Sequence, residues 1–360
     1  MNIVLLANYA PTSLSGYVYR ALQQMGHAIT FVSPQEGLED SIGCKPFLDV
    51  PLFLNKQNLK PDLLIVVESS VHPLLVPLNL EKLNCVTAWW AIDNHINYRW
   101  HKEFAVFFDY VFFAQKDFTQ QASKYAGKNV AWLPLACDPS IHQNKHLERT
   151  VACGFVGNMN KHRQHYFDQL KTKTHIQIVN GLNPYQMADY YNTCKSVFNI
   201  SMRGDLNMRT FEAMACGSLL ITQDIQNGIN DLFEPGKNII THNLNNAAEV
   251  INYYEKNSEL IAPIAQAGYE LVIREHTYSN RMQTLITLAG GGKKQLFETD
   301  VYAIRKHYMF NHRHFKSNHL DSYNTLYNHV SFFKKIKYKV LYFFAFLWHK
   351  KYLWGVRKFG

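Results

Sequence analysis

The sequence predicts an α/β protein made of two successive Rossmann-like halves, and three observations carry that expectation. Short apolar runs alternate with helix-compatible segments over residues 1–140, as in a parallel sheet wound on both faces. The alternation restarts near Val151. Finally, residues 196–222 read as strand, polar loop, short helix, strand, a loop that delivers the chain to a helix N-terminus, where free N–H groups favour an anion.

In the first half, residues 2–7 form an apolar run suited to a buried strand. It lacks the basic start of a signal peptide, so a secretory leader is not expected. A loop over residues 8–16 carries Pro, Thr and Ser and opens a helix over 17–25 that Gly26 ends. Further strands are expected at 28–33, 61–67, 86–92, 110–114 and 130–133. In the second half, strands are expected at 152–156, 176–179, 197–200, 219–222 and 238–241. Helices are expected from His165, at 185–194 and 208–216, where Gly217 stops the chain, and at 246–257 and 259–275. The 360 residues divide as 1–145, 146–290 and a helical extension over 291–360, with the joint between the halves in the polar stretch 142–150.

The net charge of +9 sits unevenly. Residues 331–360 hold eight basic residues, from Lys334 to Lys358, and no acid, so the body is close to neutral. That argues against a nucleic-acid partner, which calls for a basic stripe on the folded domain. Phe332, Phe333, Ile336, Val340, Phe343, Phe344 and Leu347 share one helical arc, with Trp348, Tyr352 and Trp354 beside Lys350 and Lys351. The pattern is that of an in-plane helix on an anionic membrane surface; the alternatives are a packed helix or a homodimer contact. The apolar part is too short to span a bilayer. Six scattered cysteines without a CxxC fit reduced thiols and a cytoplasmic setting, peripheral on the inner face of the membrane. His307, His312, His314 and His319 lack the spacing of a helical zinc face, so no metal site is expected.

The chemistry concentrates at residues 196–222. Arg203 and Arg209 flank the polar loop, and Glu212 lies three residues after Arg209, on the same helix face. Two arginines for a diphosphate and a carboxylate for sugar hydroxyls are what a nucleotide-sugar site needs. Arg163, after the loop that follows the strand at 152–156, is a third candidate for the diphosphate, or a surface residue at a helix start. Asp93 and His95 follow the strand at 86–92, at the end where ligands bind in such sheets. Either can take a proton from an acceptor hydroxyl; alternatively Asp93 caps the next helix and His95 is a loop residue. Glu68 and His72, after another strand, are reserves.

Residues 196–222, continuing to His276-Thr-Tyr-Ser-Asn-Arg281, together with Trp90-Ala-Ile-Asp93, Trp132-Leu-Pro-Leu-Ala-Cys-Asp138 and Phe155-Val-Gly-Asn158 followed by Arg163, resemble the CgeB-type glycosyltransferases, a GT-B-fold group. The order and spacing of the pieces over about residues 85–282 carry the resemblance. It implies a GT-B enzyme with an inter-domain cleft, an N-terminal acceptor domain and a C-terminal donor domain. Arg163, Arg203, Asn207, Arg209 and Glu212 would bind the donor, with Glu212 on the ribose hydroxyls, and Asp93 and His95 would be catalytic. The reaction implied is metal-independent transfer from a nucleotide sugar to a glycan or lipid-linked acceptor in cell-surface polysaccharide synthesis, without a cofactor. Many retaining members carry two glutamates in an E-x7-E pattern. Here the first position is Gly204, with Asp205 beside it, so the stereochemistry stays open. Two other classes fit the same architecture: a nucleotide-sugar 2-epimerase-like enzyme, and a non-catalytic scaffold.

Overall fold

A computed structural model describes residues 1–34, 41–69, 75–201 and 203–294. The expectations for residues 295–360, including the basic-aromatic tail at 331–360 and the histidines His307, His312, His314 and His319 before it, fall outside the described residues, as does His72. The chain forms two compact units. The first comprises Met1–Phe113, Phe118–Trp132 and, among the described residues, 285–294; the second comprises Ala114–Asp117 and Leu133–Thr284.

The first unit contains β1 (Asn2–Leu6), α1 (Leu14–Gln24), β2 (Ala28–Ser33), β3 (Ile42–Gly43), β4 (Phe47–Asp49), α2 (Val50–Lys56), β5 (Leu63–Val67), β6 (Val76–Leu78), β7 (Val86–Ala91), α3 (Asn94–Phe104), β8 (Tyr110–Phe113), α4 (Thr119–Ala126) and β9 (Val130–Trp132). Seven strands form one parallel sheet in the order β3-β2-β1-β5-β7-β8-β9. The central strands β5 and β7 are buried along their whole length, as parallel strands covered on both faces must be. Every strand expected in this half is present.

Helices α2, α3 and α4 go beyond the helix range expected in this half; a local cap starts α2 and tertiary burial sets α3. Helix α2 starts where Asp49 Oδ1 accepts the Leu52 N–H at 3.2 Å, which is ordinary N-capping. Helix α3 begins only two residues after β7, so His95 lies in its first turn rather than in a loop. The cause is the i, i+4 pair Trp100 and Phe104, which packs on Trp89 with ring centroids 6.1 and 4.9 Å away. Burying such a face stabilises a helix that local propensity alone does not announce.

The second unit contains β10 (Val151–Val156), α5 (Lys161–Lys171), β11 (Ile176–Val179), α6 (Pro184–Thr193), β12 (Cys194–Asn199), α7 (Arg209–Ala215), β13 (Leu219–Gln223), α8 (Ile229–Leu232), β14 (Ile240–His242), α9 (Ala247–Lys256), α10 (Ile261–Glu275) and the part of α11 (Tyr278–Ala289) up to Thr284. Its parallel sheet runs β11-β10-β12-β13-β14. Phe155, Phe167, Phe198 and Ile221 form its core. The cap of α7 follows from Gly217, whose φ of 76° is open to glycine at little cost. Its N–H reaches Met214 O at 2.9 Å and the next N–H reaches Ala213 O at 3.2 Å.

Two of the motif pieces turn out to hold each other. Cys137 N–H donates to His276 O at 3.1 Å and Tyr278 N–H to Cys137 O at 3.0 Å. The buried Arg281 donates to Pro134 O, Leu135 O and Glu275 O at 2.8, 3.2 and 3.1 Å, and to His276 Nδ1 at 3.0 Å. Its charge is solvated by main-chain carbonyls instead of water, which makes this pair of segments a structural strap.

Candidate functional site

In the second sheet the chain moves from β10 out to β11 on one side and then crosses to β12 on the other side of β10. The loops after β10 and β12 therefore part, and the crevice outside their carboxyl ends is where open α/β sheets take ligands. Four of the five residues expected to bind a donor are anchored around this point.

Arg209 opens α7. Its Nη1 donates to Asn199 Oδ1 at 2.6 Å, and its Cζ stands 4.5 Å from the centroid of the Phe155 ring, a cation–π distance. Asn199 is itself locked, donating to Thr222 Oγ1 at 3.0 Å and Thr210 Oγ1 at 3.4 Å. Arg163 joins the two loops, with Nη1 on Asn158 O at 3.0 Å and Nη2 on Ile200 O at 3.5 Å. Burial, and then the neighbouring Arg209 charge, hold Arg163 below the usual guanidinium range. The loop after β10 leaves room for this only because residue 157 is glycine: a Cβ there would sit 2.6 Å from Arg209 Nη2 and 3.0 Å from Phe155 Cζ.

Helix α7 is seven residues long. The positive charge of the site therefore comes from the guanidinium groups, and the helix N-terminus invoked from the sequence adds little. Among the described residues, Asn207 Oδ1, Arg163 Nε and Arg209 Nε are buried polar atoms with no protein hydrogen-bond partner. Orphaned buried groups are rare enough to require an explanation, and a bound ligand supplies one.

Glu212 lies on the same helix, 4 % exposed. Burial pushes its carboxyl up to about 7, with Arg209 pulling against that shift. His142 Nδ1 accepts the Asp138 N–H at 3.2 Å, which leaves the ring proton on Nε2, 3.5 Å from Glu212 Oε1. Tyr191, fully buried on α6, lies within electrostatic reach of Arg209 and Glu212, and burial raises its phenol above the usual range. His142, Tyr191 and Asn199 went unmarked in the sequence. Asn199 carried a usable signal, a polar residue closing an apolar strand, whereas His142 and Tyr191 carried none.

Arg203 is exposed, with its backbone N–H directed to Asp205 Oδ1 at 3.5 Å. Asp205 also accepts from Ser201 Oγ at 2.7 Å and is buried. It thus ties the loop together. Gly204 has φ 79°, so the position of the first glutamate in the E-x7-E pattern is a left-handed glycine.

In the first unit, Asp93 stands at the start of α3, and its carbonyl accepts the N–H groups of Ile96 and Asn97 at 3.0 and 2.8 Å. Its side chain makes no cap bond. Glu68 holds the turn beneath it. Oε2 accepts the Ile92 and Asp93 N–H groups at 2.6 and 3.1 Å, and Oε1 accepts from Asn97 Nδ2 at 3.1 Å and faces His101 Nε2 at 2.9 Å. Burial works to raise this carboxyl, but His101 and the two backbone donors outweigh it and leave it below the usual range. Glu68 is thus bound into the scaffold of the turn that carries Asp93 and His95.

Residues 141–287 match a family model described as "Glycosyl transferase-like". That description does not single out the CgeB-type group. No curated protein matches the chain by sequence. Among solved structures, sucrose-phosphate synthase from Thermosynechococcus elongatus is similar over 80% of this chain and 98% of its own, with TM-score 0.56 and 10% identity. A glycosyltransferase from Rickettsia africae is similar over 80% and 97%, with TM-score 0.56 and 12% identity. Anabaena HepE, solved in complex with UDP and glucose, is similar over 80% and 99%, with TM-score 0.54 and 14% identity. The α/β fold with parallel sheets matches that of these GT-B glycosyltransferase neighbours.

Proposed function

We propose that the protein transfers a sugar from a nucleotide-diphosphate donor to a hydroxyl of a glycan or lipid-linked acceptor. The observation behind this reading is the pair Arg163 and Arg209 at the switch point of the second sheet, whose hydrogen-bond partners are all neutral groups. Two cations held by a carbonyl pair and an amide keep their charge for an anion, and a diphosphate matches their sign. The fold and the UDP-bound state of HepE point the same way. Glu212 and the unpartnered Asn207 Oδ1 supply acceptors for ribose hydroxyls, with Arg203 at the mouth of the loop.

In the reaction, the acceptor oxygen bonds to the anomeric carbon as the bond to the diphosphate oxygen breaks. Arg163 and Arg209 take up the charge developing on the leaving group. Asp93 or His95 receives the hydroxyl proton. The guanidinium pair does the work that a divalent metal does in other transferases, so the reading is metal-independent. Thermal shift and calorimetry with UDP, GDP and ADP in excess EDTA test it. One of the three should raise the melting temperature by mass action. Failure of all three to bind, or binding only after Mn²⁺ or Mg²⁺ is restored, would overturn it.

Attachment to an anionic membrane through residues 331–360 belongs to the same proposal. It rests on the eight basic residues and aromatic arc of that segment. Among the described residues no helix is long and apolar enough to cross a membrane. Deleting 331–360 should abolish co-sedimentation with phosphatidylserine vesicles at low salt while leaving nucleotide binding intact. Each basic residue near such a surface contributes about 1 kcal/mol, so binding of the full chain should weaken as salt rises. Full-length protein that stays in the supernatant would favour a packed helix or a dimer contact.

A further inference from the structure

The tetrapeptide Ala114–Asp117 packs with the second unit, although Phe113 and Phe118 on either side of it belong to the first. Its Gln115 is 1% exposed and spends both ends of its amide on one residue of the loop after β12. Leu206 N–H donates to Gln115 Oε1 at 2.9 Å, and Gln115 Nε2 donates to Leu206 O at 3.4 Å. Asn227, also 1% exposed, adds a second amide. Its Nδ2 donates to Gly204 O at 3.1 Å and to the same Gln115 Oε1. Its Oδ1 accepts the Asp117 N–H at 3.1 Å.

The two amides therefore pair with the loop backbone on both sides of Asp205, as a neighbouring strand would. Leu206 immediately precedes Asn207, whose Oδ1 is buried without a protein partner, and lies three residues before Arg209. Buried amides are costly unless bonded, and here their bonding capacity goes into fixing one loop. The surface pair Lys116–Asp231 beside them is half exposed and adds little.

We infer that Gln115 and Asn227 are positioning residues for the nucleotide-sugar loop, setting where Asn207 and Arg209 stand when the donor binds. This rests on the function proposed above. A peptide bracketed in the chain by segments of the first unit thus governs donor affinity in the second.

The test uses the full-length protein with Gln115→Ala and Asn227→Ala, either of which decides alone if the other fails to fold. Hydrogen exchange should show the Leu206 amide opening about tenfold faster in Gln115→Ala, the loss of one ordinary hydrogen bond, and in Asn227→Ala the Asp117 amide opening likewise, with Leu206 faster as the loop loses its tie at Gly204. The amides of β12 serve as a reference and should exchange as in the wild type. Calorimetry with UDP should show a dissociation constant raised about tenfold or more, whereas Lys116→Ala should stay within about twofold. Unchanged exchange at Leu206 would show that the clamp does not hold the loop. Faster exchange with unchanged UDP affinity would show that the clamped geometry is irrelevant to the donor. Either result overturns the inference while leaving the proposed function standing. Wild-type protein that binds neither UDP, GDP nor ADP would instead remove the function itself, and with it the clamp's role in donor binding.

Discussion

Glu212→Gln is expected to stabilise the fold at pH 8 by up to about 3 kcal/mol, to change it little at pH 4.5, and to weaken nucleotide binding. Glu212 is 4 % exposed, and burial raises its carboxyl to about 7 against the lowering effect of Arg209. The folded state thus holds the proton more tightly than the unfolded chain. The stability this contributes is fully present below the ordinary glutamate value of about 4.5 and is lost as pH rises through about 7. Above that range the ionised side chain opposes folding, and a neutral glutamine of the same shape relieves the cost. The protein would retain a destabilising carboxylate for what it binds. Ribose hydroxyls donate to a carboxylate, so binding favours the ionised form and affinity should fall as pH drops below about 7. Denaturant unfolding at the two pH values, with calorimetry beside it, reads both effects. Equal stability of variant and wild type at pH 8 would show that Glu212 is already compensated in the free protein.

Arg209→Ala is expected to raise the dissociation constant for the bound nucleoside diphosphate by about 10- to 100-fold, the range for one charge-assisted contact of about 1.5–3 kcal/mol. Gly157→Ala should act in the same direction without touching a charge, because its Cβ would stand 2.6 Å from Arg209 Nη2 and force the guanidinium off Phe155 and Asn199. Removing Arg209 also removes the charge that holds the Glu212 carboxyl down, so Arg209→Ala and Glu212→Gln together should be non-additive. Wild-type affinity in a folded Arg209→Ala protein would take the diphosphate away from this crevice.

The strands were legible because parallel strands covered on both faces must be apolar throughout, as in Leu63–Val67 and Val86–Ala91. The polar cluster after β12 was legible as well, since Asn207, Arg209 and Glu212 fall within six residues of one another in sequence, whereas Arg203, four residues before Asn207, stands exposed. The start of helix α3, which takes in His95, was not, because its register is set by Trp100 and Phe104 finding Trp89, a contact distant in sequence.

The sequence by itself determined the two doubly wound halves and the chemistry of the loop after β12, both properties of neighbours along the chain. Only the tertiary structure decided how that loop is held. Asn199 reaches Arg209 across the end of a strand, His142 approaches Glu212 from 70 residues away, and Gln115 bonds to Leu206 from 91 residues away. His142 and Gln115 are polar side chains buried far from their partners in sequence. Burial makes their hydrogen bonds obligatory, yet the fold alone determines which partners meet them.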